Sequence, residues 1–159
     1  MNPFFQTIIF SLAFLVSCKS TNLEPQSPDG RIKFEIGEKD QLLSYAIYLD
    51  GQVMLKPSVF AFEFRDQAPF SGEMKVELIA ESRVDKLWKP LWGKTDQIRD
   101  HYQEYVYRIT EEERGGEGIP RYLDWVIRMY NDGVAFRYRF PEDSGFDQFV
   151  ITEERTGFN

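Results

Sequence analysis

The chain has 159 residues, 26 acidic and 19 basic, giving a net charge of -7 at neutral pH, with 42% hydrophobic and 16% aromatic side chains. That length leaves room for one core and not for two large domains, and the acidic balance removes nucleic acid as a partner, because phosphate binding needs a basic face. One cysteine and one histidine exclude a disulfide framework and any zinc site built from this chain's own Cys and His.

The first segment reads as an address. Phe4 to Val16 is an apolar run interrupted mainly by Gln6, Thr7 and Ser11, as long as the core of a secretory signal and too short to span a bilayer. Leu15-Val16-Ser17-Cys18 follows and resembles the lipobox of bacterial lipoproteins, in which the cysteine becomes the acylated first residue of the mature protein. The resemblance makes Cys18 a lipid anchor and places the protein at the cell envelope, on the outer-membrane or periplasmic side. Apart from its α-amino group, Met1 to Phe10 carries no positive charge, which departs from the usual signal. Residues 1–17 are thus expected as a lipoprotein-type signal peptide, 18–27 as a polar tether with two prolines, and 28–159 as the domain proper.

From residue 31 onward the side chains alternate with period two, the pattern of a strand with one buried face. Ile32, Phe34 and Ile36 alternate with Lys33 and Glu35, and Leu43, Tyr45, Ile47 and Leu49 with Ser44 and Tyr48. Asp50-Gly51 then predicts a hairpin into Val53–Leu55, since both central positions need positive φ. Phe60, Phe62 and Phe64 form an aromatic edge, Val76 and Leu78 a further strand, and Tyr102 to Ile109 another. Asp85 to Asp100 is broken by Pro90 and Gly93, so it reads as a loop or edge segment whose two tryptophans, Trp88 and Trp92, pack on the sheet. After a polar turn at 110–118, Tyr122 to Tyr130 and Val134 to Phe140 form a hairpin through Asn131-Asp132-Gly133, stopped by Pro141, and Phe149 to Ile151 starts a last strand. Strands at this spacing with almost no helical periodicity predict an all-β antiparallel sandwich.

Catalytic equipment is sparse. His101 is the one candidate base at neutral pH, but no serine or cysteine nucleophile pattern accompanies it. Glu111-Glu112-Glu113 and Glu153-Glu154 lack the loop pattern of a calcium site and read as solvated turns. Most aromatic residues are needed to fill the interior. Trp88 and Trp92 alone, beside Pro90 and Gly93, are candidates for contact with a ligand or another domain.

Several segments, in order, resemble the N-terminal domain of glycoside hydrolase family 97, the calcium-dependent α-glucosidases and α-galactosidases typical of glycan-degrading Bacteroidetes. They are Ser27-Pro28-Asp29-Gly30 with the following strand; Tyr45 to Leu55 and Pro57-Ser58; Trp88-Lys89-Pro90-Leu91-Trp92-Gly93; Ile98-Arg99-Asp100-His101-Tyr102-Gln103-Glu104; Arg128 to Tyr138 with Phe140-Pro141; and Ile151-Thr152-Glu153-Glu154. Lys94, Asp100 and Gln103 depart from the family's usual residues. The resemblance implies a galactose-mutarotase-like super-sandwich, incomplete in this chain, that covers the mouth of a catalytic (β/α)8 barrel. In the family the barrel holds the acid and base carboxylates and calcium lies beside them. No catalytic or metal residue is carried over to this chain. Three readings follow: a portion of an oligosaccharide-cleaving α-glycosidase, inactive without its barrel; a standalone lipid-anchored carbohydrate-binding module; or an envelope scaffold that binds protein.

Overall fold

The computed structural model describes residues 24–111, 120–146 and 148–159. Cys18, the signal segment and most of the stretch read as a tether lie outside the described residues. The packed part reaches back to Glu24. Pro25 is fully buried, its carbonyl accepts from the Phe34 amide at 2.8 Å, and Gln26 bridges Lys33.

Among the described residues every regular element is a strand: β1 (Ile32–Lys39), β2 (Leu42–Leu49), β3 (Gln52–Val59), β4 (Phe62–Phe64), β5 (Met74–Trp88), β6 (Ile98–Glu111), β7 (Tyr122–Tyr130), β8 (Gly133–Arg139) and β9 (Ile151–Glu154). They form three antiparallel sheets, ordered β1-β2-β3, β4-β9 and β5-β6-β7-β8. The all-β sandwich expected from the alternation is the observed architecture, and local chemistry explains its hairpins. Asp50 (φ 51°) and Gly51 (φ 78°) turn β2 into β3 in the left-handed conformation that such two-residue loops require. An equivalent turn at Asp40 (φ 54°) and Gln41 (φ 64°) joins β1 to β2; a glutamine there carries no turn signature in the sequence.

The sandwich is held by rings. Phe34 and Tyr45 on one sheet meet Trp125 and Phe136 on the other, edge to face at centroid distances of 5.3–6.3 Å, an arrangement favoured by the quadrupoles of the rings. Phe60 and Tyr138 close on Trp125 from the side of β4. A second aromatic patch, Phe64, Phe70, Phe140, Phe146 and Phe149, lies under the β4-β9 sheet. The cores of β6 and β7, including Tyr107, Ile109, Leu123, Ile127 and Met129, are fully buried. These positions alternate, and the opposite face carries charge. There Asp124, nearly inaccessible, accepts from Arg108 Nε at 3.0 Å and Arg139 Nη2 at 2.7 Å.

Candidate functional site

β5 and β6 run well past the end of their neighbours. β7 begins pairing with β6 at Tyr102↔Tyr130, whereas β5 and β6 remain paired to Trp88↔Ile98. Residues 85–101 therefore form a two-stranded ribbon projecting from the sandwich, tipped by a loop at 89–97. The segment expected as a loop or edge with its tryptophans packed on the sheet is thus half strand. Trp88 ends β5, and neither indole packs on the core: Trp88 is 48% exposed and Trp92 85%. Leu87, Leu91 and Ile98 are also exposed, so the ribbon ends in an uncovered apolar group.

A bulge sets which way the ribbon's side chains point. Leu78 pairs with Tyr107 and Ala80 with Val106, leaving Ile79 as an extra residue. Before it, Met74, Val76 and Leu78 pack on the core. After it, Val84, Lys86 and Trp88 stand with Tyr102, Asp100 and Ile98 on the opposite, outer face. The other face of the ribbon is an ionic lattice. Arg99 grips Asp85 through two 2.8 Å hydrogen bonds, and this bond, above all else, holds the Asp85 carboxyl below the usual carboxylate range. Arg83, which can only donate, lies 3.2 Å from Nε2 of His101. The candidate base is engaged there with an arginine, and no nucleophile stands beside it.

On the outer face, the ribbon and the β7–β8 turn enclose an open groove of about 930 Å³. Its walls are Trp88 and Ile98 with Lys86, Arg99, Asp100 and His101 on the ribbon, and Asn131 and Asp132 on the turn, with Tyr130 and Arg128 behind. Tyr130 packs at a tilt against Tyr102, ring centroids 5.2 Å apart, and Arg128 lies 4.6 Å over the Tyr102 ring while donating to Glu104 at 2.7 Å. The turn is pinned by the start of the domain, because the Asp29 amide donates to Asn131 Oδ1 at 3.1 Å. Asp29 is itself fixed by the Ser27 hydroxyl and the Arg31 amide, which hold its carboxyl below the usual range. Both walls of the groove are therefore tied by hydrogen bonds, the ribbon by its strand pairing and the turn by Asp29.

The remaining candidates do not join this site. Glu111 forms a bidentate pair with Arg121, and Glu112 and Glu113 lie outside the described residues. Glu153 pairs with Arg155, and Glu154 accepts from Thr156. Among the described residues no three His, Cys, Asp or Glu side chains converge as a metal site would require. These residues do not by themselves form a calcium site. Sequence reasoning picked out Trp88 but not its companions; Lys86, Asp100 and Asn131 come together only through the cross-strand register and the hairpin geometry.

Comparison with known proteins bears on the fold. A retaining α-galactosidase of Bacteroides thetaiotaomicron is 26% identical over 137 residues, covering 80% of this chain and 19% of the relative. A glycoside hydrolase family 97 enzyme of Pseudoalteromonas sp., solved as a complex with panose, superposes with a TM-score of 0.76 at 27% identity over 85% of this chain and 20% of that one. A beta-arabinopyranosidase shares the fold, with a TM-score of 0.70 at 22% identity, 86% of this chain and 21% of that one being covered. The chain thus spans about a fifth of the length of the relatives it matches. Residues 26–159 match the family described as Glycosyl-hydrolase 97 N-terminal, and the chain belongs to that family.

Proposed function

We propose that this chain is the non-catalytic N-terminal portion of an α-glycosidase that removes glucose or galactose from oligosaccharides, and that its ribbon docks on the catalytic barrel. The observation that carries this reading is the tip of the ribbon. Leu87, Leu91 and Trp92 are among the most exposed large hydrophobic residues described, and they are gathered at one end of a projecting arm, where single-domain surfaces rarely concentrate apolar side chains. The length of the relatives supplies the occupant, since four-fifths of each lies outside the region matched here. Calcium, expected in the whole enzyme, then belongs with the carboxylates of the barrel.

The purified chain is expected not to hydrolyse nitrophenyl α-glucoside or α-galactoside above buffer, with or without calcium; turnover by the purified chain would overturn the assignment. We further propose that Cys18 carries acyl chains that hold the enzyme at the cell envelope, a reading supported by Leu15-Val16-Ser17-Cys18. A clickable palmitate should label the wild type and not Cys18→Ser. Equal labelling of both would remove the anchor.

A further inference from the structure

The two faces of the ribbon differ, and only the tip is accounted for by docking. The outer face forms the groove beside Trp88. Three features of that groove define a ligand. First, it offers a flat, half-exposed indole flanked by Ile98, directly opposite in the β5–β6 register, an apolar platform for a face of C–H groups. Second, its charges are largely balanced: Arg128 is bound to Glu104 and Arg99 to Asp85, while Lys86 faces Asp100 and Asp132 lines the same groove. A phosphate or other anion would meet two aspartates and little free positive charge, so the groove suits a neutral molecule.

Third, Lys86 Nζ and Asp100 Oδ2 are 3.9 Å apart, too far for a direct hydrogen bond. A hydroxyl between them would accept from the ammonium and donate to the carboxylate, using both of its capacities. Asn131 spends its carbonyl oxygen on the Asp29 amide, and its side-chain NH2 brings donors to the groove wall. Asp132 adds carboxylate acceptors beside it. An apolar platform ringed by separated donors and acceptors, in a groove of the size that binds small molecules, is complementary to a pyranose ring, with its C–H face and equatorial hydroxyls. We infer that this groove is a sugar-binding subsite. One pyranose of a neutral oligosaccharide stacks on Trp88, one hydroxyl bridges Lys86 and Asp100, and another reaches Asn131 and Asp132.

The subsite rests on the glycosidase reading only for the choice of sugars. The test is a titration of the full isotope-labelled chain with maltotriose and with melibiose, following the three indole N–H resonances, with inorganic phosphate as a separate arm. The expected result is saturable, millimolar-range shifts at Trp88 with at least one of the sugars, and none from phosphate. Trp88→Ala should weaken binding about tenfold or more, Trp88→Phe should restore part of it, Asp100→Ala should weaken it, and Trp92→Ala should leave it unchanged. Absence of shifts with either sugar, shifts confined to Trp92, or a response to phosphate alone overturns the subsite. Sugar binding here by a chain whose tip docks on no barrel would instead contradict the reading of the preceding section and leave the subsite standing.

Discussion

Asp124 sits on the outer face of the central sheet with its carboxylate almost fully covered and two arginines, each partly exposed, donating to it. Arg108 lies 4.1 Å over the Tyr122 ring as well, so one acid organises three strands, β6, β7 and β8. Asp124→Ala would leave two guanidinium groups that water still reaches, which limits the cost; urea denaturation should show a loss of about 1–3 kcal/mol. A loss under about 0.5 kcal/mol, the range of ordinary surface substitutions, would show that the two arginines find other partners. Tyr45 makes a complementary case. Burial pushes its phenol up to about 12 from an ordinary 10.0, and its hydroxyl donates to the Gly157 carbonyl at 2.7 Å. Below pH about 10 both folded and unfolded chains hold the proton, so its contribution to stability is fully present there. As pH rises from 10 towards 12 the unfolded chain ionises first and the contribution is lost. Tyr45→Phe should lower stability at pH 7 by about 1 kcal/mol and make the alkaline decline shallower. An unchanged alkaline limb would show that the phenol does not take part.

At the scale of elements, the ribbon is where the sequence was least legible, for physical reasons. The stretch from Glu81 to Trp88 is paired on one side only and exposed on both faces. No core imposes alternation there, and charges appear at successive positions. The bulge at Ile79 then shifts the phase, so strict alternation continued from Val76 and Leu78 would place Trp88 on the core side, where it is not. Pro90 and Gly93 did mark the loop correctly. The buried strands show the opposite: Ile32-Phe34-Ile36, Tyr45, and the run from Tyr122 to Tyr130 read clearly because each has one face against the rings. Asp50-Gly51 was legible as a turn from its residue types, whereas Asp40-Gln41 was not. Because residues 87–99 contribute nothing to the core, replacing them with Asn-Gly, which joins Lys86 directly to Asp100, should change stability by less than about 1 kcal/mol. Cooperative unfolding should persist. Collapse of the fold on this replacement would show that the ribbon is structural rather than a docking arm.

At the scale of the whole molecule, the aromatic sandwich serves as a rigid base that holds one long arm and one short turn at fixed positions. The pinned turn at Asn131 and the two-stranded ribbon create a groove, and the uncovered tip reaches beyond it. Family membership was legible from ordered motifs spread over the chain. The groove was not, since it is assembled from residues 86–100 and 131–132, which no local pattern links. The account places the chemistry outside this domain and gives the domain the tasks of docking and of holding sugar. The most direct measurement is immunocapture of the native polypeptide from the cells that make it, with an antibody to residues 24–159, followed by a denaturing gel and an assay with nitrophenyl α-glucoside and α-galactoside. The account predicts a captured chain several times larger than the 18.7 kDa of this one, in line with relatives of which this chain spans about a fifth, carrying α-glycosidase activity. A captured polypeptide no larger than 18.7 kDa and without activity would contradict it.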